Sequence, residues 1–440
     1  MSTGQLYPTE PLKCWGKAKE LRLKYYKDYA EAHQRGALRY IGGAWNFDAV
    51  PTGLSGEVCS LTGEPYGAAC AYNAEFSKRA LEKAQSYGFA KDMCAYFRNY
   101  VGSVLLDEYV FGGPMPKADF IWQSHICCTH SKWYENVSEI EGGIPGYFVD
   151  IGAGASPPFS ELPAHRIEYV VGQLLDGIEW LQEVTGRTFD DEKFIQATKY
   201  YMNSMYKWAK VCELNQNIPA PLGEKEMFSL YVLSTLERAS KEVSDFYDEL
   251  YEEVKDRVRR GIAAIGNEQI RLMTDSQPPW AFLGMWRYLE KDYNAISIGS
   301  LYTFSLEGAW EVREGKLLPK EPLAPGSNQE SACWALAEYE LYKPIYQSFY
   351  HADFKSQLMI MIAQQWKVDG VILHLNLGCE GSSLGVLENR IALQKAGFPT
   401  LMVEGSMADE AAIDRARTFR RIQIFMDQFS GPRAPAKAAG

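Results

Sequence analysis

Two short apolar runs, ADFIWQSH (118–125) and GYFVDIGA (147–154), flank a helical pattern, SKWYENVSEI, and this spacing constrains the fold more than any other feature of the chain. Strands separated by a helix of that length cannot form a hairpin. They lie parallel, in a sheet covered by helices. The same grammar returns later. IRLMTDSQPPW (270–280) reads as a strand entering a Pro-rich turn, AISIGS (295–300) as a second strand, and VDGVILHLNLG (368–378) and PTLMVEG as two more. Helical stretches, FKSQLMIMIAQQWKV and SSLGVLENRIALQKAG, lie between them. Residues 161–265 read as nearly continuous helix, divided by Gly, Pro and Asp/Asn clusters.

The pattern predicts an α/β protein with two parallel-sheet domains and a helical connecting layer. Its divisions are an N-terminal helical arm (1–35), a first α/β domain (36–160), a helical domain (161–265), a second α/β domain (266–430) and a flexible tail (431–440). In the first half, ALRYIGGAWNFDAVPTGLSG reads as a short strand followed by loop, and residues 71–89 as one amphipathic helix. The similar size of the two halves hints at an old duplication.

With 45 Lys+Arg against 56 Asp+Glu, the formal charge is −11, which argues against nucleic acid as a partner. The N-terminus has no apolar signal region and no stretch is apolar enough for a membrane helix, so a cytoplasmic protein is expected. Thiols stay reduced there, so the nine cysteines are not expected to form a disulfide framework. The absence of CxxC excludes a compact zinc ribbon or finger.

Nucleotide-binding loops are missing as well. There is no GxxxxGK(S/T) and no GxGxxG between a strand and a helix; IGAGASPP (151–158) carries two prolines where such a helix would begin. EGSSLG has its serines misplaced for a nucleophile elbow. Neither ATP, a dinucleotide nor serine acyl transfer is supported.

Three cysteines share a local context. Cys127 and Cys379 each follow a strand and precede a helix, and Cys94 begins the helix CAYFRNYVGS. Sites in parallel sheets form beyond the carboxyl ends of the strands, so Cys127 and Cys379 could face each other across the two halves. Helix N-termini favour anionic sulfur, the form that binds iron or zinc. Three converging thiolates could hold three corners of a 4Fe-4S cube with one iron left open. Cysteines so far apart form no motif, and buried, inert thiols remain the competing reading.

The segments KDMCAYFRNYVGS, SHICCTHSKWYENVSEIEG and VDGVILHLNLGCEGSSLGVLENRIALQKAGFPTLMVEGSMAD resemble, in order, the three cysteine motifs of the benzoyl-CoA reductase / 2-hydroxyacyl-CoA dehydratase family. ICCTHSKWYENV and GCEGSSLGVLENR are most similar to B subunits of ATP-dependent benzoyl-CoA reductases, enzymes of anaerobic aromatic degradation. The resemblance implies two Rossmann-like domains with a helical domain. It implies Cys94, Cys127 and Cys379 as ligands of a 4Fe-4S cluster, or of a double-cubane form. Cys127 is favoured over Cys128 because it keeps the family spacing to KWYE at 132–135; Cys128 is expected to pack beneath the helix start.

The implied activity is reduction of the benzoyl-CoA ring to a cyclic dienoyl-CoA. The implied partners are a smaller homologous subunit and ATP-hydrolysing activator subunits fed by reduced ferredoxin. The alternatives are a 2-hydroxyacyl-CoA dehydratase subunit, a double-cubane cluster reductase, and a non-catalytic electron-relay or scaffold subunit. His125, His130 and His374 flank the cysteine segments and are candidate proton donors, with satisfied structural histidines as the plainer alternative. Glu380 could orient groups around Cys379 or simply face solvent. Ser276-Gln277-Pro278-Pro279-Trp280 is either a substrate-side loop or a structural turn. Cys14, Cys59, Cys70, Cys212 and Cys333 are assigned to packing.

Overall fold

The computed structural model describes residues 6–152 and 162–429. Its first half contains strands β1 (Leu38–Gly42), β2 (Val58–Thr62), β3 (Phe120–His125) and β4 (Gly146–Asp150). The second contains β5 (Ile270–Thr274), β6 (Ala295–Ser300), the antiparallel hairpin β7 (Trp310–Arg313) and β8 (Lys316–Pro319), then β9 (Gly370–Asn376) and β10 (Thr400–Gly405). Two parallel four-stranded sheets result, in the orders β2-β1-β3-β4 and β10-β9-β5-β6. The expected α/β class with two parallel sheets is found.

The two sheets share one topology. Numbered within its own half, each runs second, first, third, fourth, so the strand order reverses between β1 and β3 in one and between β5 and β9 in the other. Tyr40 pairs with Phe120 across the first reversal and Leu272 with Gly370 across the second. Ligands of open α/β sheets settle beyond the carboxyl ends of the strands at such a reversal. The fold therefore offers two facing switch points, and the repeated order is what a duplication would leave.

Burial explains the strand sequences. β3, β6 and β9 are buried along nearly their whole length, polar positions included, because helices cover both faces, whereas the edge strand β4 leaves Phe148 exposed. Between the halves run the helices Ala164–Thr185, Asp191–Leu214 and Lys241–Arg260. Asp190 caps the second by accepting from the Lys193 N–H at 3.0 Å, and Ser240 caps the third by accepting from the Val243 N–H at 3.2 Å. The second of these helices and its end grip the second half through polar atoms. Trp208 donates to the Thr303 carbonyl at 2.9 Å, Trp366 to that of Cys212 at 2.9 Å, and Asn215 to that of Ile298 at 2.7 Å.

A buried ion network ties all three segments together. Arg238 approaches Asp48 at 3.3 Å and Glu307 at 3.0 Å, and Lys343 approaches Glu340 at 2.9 Å. Tyr201 and Tyr346 each donate to Glu340 at 2.6 Å. Arg238 also donates to the Ala44 carbonyl, just past β1. Desolvating these charges is costly, so losing one partner would leave a buried charge uncompensated.

Some elements depart from the sequence expectation. The loop expected past β1 holds a short helix, Ala49–Thr52; β2 and a buried helix, Gly63–Tyr72, follow it, and the amphipathic helix expected from 71 begins only at Ala74, capped by Asn73. Two glycines and a proline make GEPYGAACAY look like a turn. Pro65 sits in the first helical turn, where its missing N–H costs nothing. The 151–158 segment beyond Gly152 and the tail from 430 onward lie outside the described residues, as do residues 1–5.

Candidate cysteine site between the two sheets

Cys127 follows β3 and Cys379 follows β9, the strands on the far side of each order reversal. Cys94 is the N-cap of the helix Ala95–Leu106, which lies in the connection from β2 to β3. All three line one cavity between the halves. The link between the Cys94 and Cys379 segments is Gly378. It sits in the left-handed region at φ +79°, and a Cβ there would stand 2.6 Å from the Met93 carbonyl oxygen. Only glycine lets these two chains approach so closely.

The sulfurs are free thiols, Cys94 buried and Cys127 and Cys379 partly so. Burial pushes the Cys94 thiol up to about 12 and the Cys127 thiol well above its ordinary value, so desolvation outweighs the expected helix-terminus effect. Opposing it, the backbone N–H groups of Tyr96 and Phe97 hydrogen-bond Cys94, and that of His130 hydrogen-bonds Cys127. At Cys379 a side chain does this work: Gln277 Nε2 donates to its sulfur at 3.4 Å.

Donors of this kind suit thiolates, as a cluster would require. Among the described residues no group of three or more His, Cys, Asp or Glu is placed to hold a single metal ion. A cluster asks for something else, because each cysteine binds a different iron. Three cysteine thiols with hydrogen-bond donors at their sulfurs are the kind of donor set an iron–sulfur cluster would need.

The three histidines part company. His130 is buried on the cavity wall, where Nε2 donates to Glu64, whose other oxygen accepts from the Ala44 N–H at 3.1 Å. His374 lies behind the cavity. Its Nδ1 donates to the Gln277 carbonyl at 2.7 Å, and burial lowers its pKa. His125 is at the surface, 3.6 Å from Asp150. Glu380 faces solvent at the cavity's edge. Cys128, expected to pack beneath the helix start, is exposed instead, because the turn before His130 carries the second side chain outward.

Sequence reasoning missed Glu64. It stands between the loop expected through Gly56 and the helix expected from 71, and a lone glutamate there gives no signal until the helix Gly63–Tyr72 brings it beneath His130. Aromatic rings close the cavity, with Trp45, Tyr96, Trp133, Tyr302 and Phe349 on its walls.

Residues 47–429 match the family described as 2-hydroxyglutaryl-CoA dehydratase, D-component. The chain belongs to that dehydratase family. It is similar to the lactoyl-CoA dehydratase subunit alpha of Anaerotignum propionicum, 26% identical over 374 residues, covering 81% of this chain and 83% of that one. The (R)-2-hydroxyisocaproyl-CoA dehydratase alpha subunit of Clostridioides difficile is 26% identical over 79% of this chain and 80% of its own. The (R)-phenyllactyl-CoA dehydratase alpha subunit of Clostridium sporogenes is 24% identical over 78% of each. All three are dehydratase subunits, so the family resemblance holds on its dehydratase side. No helix among the described residues of this dehydratase-family chain is long and apolar enough to cross a membrane.

Proposed function

We propose that the chain is an alpha-type subunit of a 2-hydroxyacyl-CoA dehydratase in which Cys94, Cys127 and Cys379 hold a 4Fe-4S cluster. The observation that carries this reading is the convergence of three free cysteines, from both halves of the chain, on one aromatic-walled cavity in a member of the dehydratase family. When bound, the cluster supplies single electrons at low potential and one iron free of protein thiolate.

The remaining work falls to the chain's own residues. The aromatic walls exclude water and accept an apolar acyl group. His130 is the histidine on the wall, held in orientation by Glu64, and is assigned proton transfer with the substrate. His374 and His125 are left with structural roles. The proposed partners are a smaller homologous subunit and an activator fed by reduced ferredoxin. ATP hydrolysis is assigned to the activator, since this sequence has no phosphate-cradling loop.

Reduction of the benzoyl-CoA ring is the second reading. It is favoured by the forms ICCTHSKWYENV and GCEGSSLGVLENR and by the aromatic walls. One assay separates the two: the anaerobic complex with activator, ATP and reductant is given phenyllactyl-CoA, lactoyl-CoA and benzoyl-CoA in turn. Formation of a 2-enoyl-CoA supports the dehydratase. Formation of a dienoyl-CoA from benzoyl-CoA alone replaces it, and no turnover by a complex with a loaded cluster leaves an electron-relay subunit.

A further inference from the structure

The loop after β5, Ser276-Gln277-Pro278-Pro279-Trp280, borders the cysteine cavity and places Gln277 Nε2 3.4 Å from Cys379 Sγ. Building on the iron–sulfur reading, we infer that Gln277 is a positioning residue that sets the reduction potential of the cluster by donating a hydrogen bond to the Cys379 sulfur.

The amide is held so that only its N–H end can face the sulfur. Its oxygen accepts from Ser276 Oγ at 2.8 Å and from Asn376 Nδ2 at 3.0 Å. Asn376 is fixed in turn, because its own oxygen accepts from the Met407 N–H at 3.0 Å. An amide whose oxygen is already held by two donors presents its NH2 group to the remaining neighbour. The main chain is held too: the Gln277 carbonyl accepts from His374, and the Asp275 carboxylate accepts from the His374 N–H at 2.7 Å. Pro278 and Pro279 then limit the freedom of the loop.

Cys379 differs from the other two cysteines in this respect. Cys94 and Cys127 receive backbone donors, which the fold supplies whatever the side chains are. Among the described residues, Gln277 is the side chain that hydrogen-bonds one of the three sulfurs. Hydrogen bonds to cluster sulfurs stabilise the more negative, reduced state and raise the potential. The side chain at 277 is therefore where substitution alone can retune the cluster.

The test is a redox titration of the anaerobically purified, iron-loaded protein, followed by its EPR signal, for wild type, Gln277→Leu, Gln277→Glu and Asn376→Asp. Gln277→Leu removes the donor and should retain the wild-type iron and sulfide content. It should show about tenfold less reduced cluster at the same ambient potential, equivalent to a midpoint lower by about 59 mV. Gln277→Glu places an acceptor against the sulfur and should lower the midpoint further. Asn376→Asp, which cannot donate to the Gln277 oxygen, should lower it in the same direction.

An unchanged midpoint in loaded Gln277→Leu overturns the inference. If that variant does not fold, the same-sized Gln277→Glu decides, and a midpoint no lower than wild type overturns it. Wild-type protein purified without iron sinks the iron–sulfur reading itself, whereas loaded variants with wild-type midpoints sink only the role of Gln277.

Discussion

His130 and Glu64 share a hydrogen bond inside the cysteine cavity, and Glu64 spends its second oxygen on the Ala44 N–H at 3.1 Å. Because Arg238 holds the Ala44 carbonyl, a continuous polar chain runs from the ion network between the segments to the histidine on the cavity wall. Glu64→Ala leaves the His130 Nε2–H and the Ala44 N–H buried without partners, at about 1–3 kcal/mol for each. Urea unfolding should show a loss of about 2–6 kcal/mol, and Glu64→Gln, which keeps an acceptor, a loss of about 1 kcal/mol. Equal losses for the two variants would contradict the double role of the carboxylate.

Arg238→Met tests the network that docks the halves. Asp48 would be left buried without its cation, and Glu307 with only Lys343, at 3.9 Å. Breaking a buried pair from one side costs about 3–5 kcal/mol, and the double variant Arg238→Met/Glu307→Leu should recover part of it. Thermal and denaturant midpoints of the single and double variants give the coupling directly.

Glu224 predicts a pH dependence. Buried, it accepts from Trp286 at 2.9 Å and also from Thr274 and Ser297, yet burial outweighs these donors and raises its pKa to about 7. A carboxyl raised in the folded state binds its proton more tightly there than in the unfolded chain. Its stabilisation is therefore complete below the unfolded value near 4.5 and is lost as pH rises through about 7. At about 1.36 kcal/mol per pH unit the swing is on the order of 3 kcal/mol. Wild type should lose stability between pH 5 and 8 relative to Glu224→Gln, and parallel curves for the two proteins would refute the assignment.

Gly378→Ala should disturb the site without touching a cysteine. The new Cβ would meet the Met93 carbonyl at 2.6 Å in a left-handed backbone, forcing the Cys94 and Cys379 segments apart. The expected result is a folded protein, by circular dichroism, with less than half the wild-type iron. Full iron content would show that the two segments need not be so close.

Much of this was legible in the sequence where apolar burial dominates. FIWQSH and VILHLN announce covered parallel strands, and the cysteines that follow them fall at the two switch points. The long helices between the halves announce themselves by periodicity and caps. What escaped was set by tertiary contact. Glu64 depends on a helix whose Gly and Pro imitate a turn, and Gln277 becomes a sulfur donor only when β5 and β9 lie side by side. Being small and apolar predicts an inward Cys128, but the direction of the turn after β3 decides which of two adjacent side chains points inward, and composition does not encode that.

The most direct test of the account is iron and acid-labile sulfide per chain in anaerobically purified wild type, Cys94→Ala, Cys127→Ser, Cys128→Ser and Cys379→Ala. About four irons are expected in wild type and in Cys128→Ser. Most iron should be lost from the other three. Full iron in Cys379→Ala, or a loss in Cys128→Ser that Cys127→Ser does not share, would contradict it.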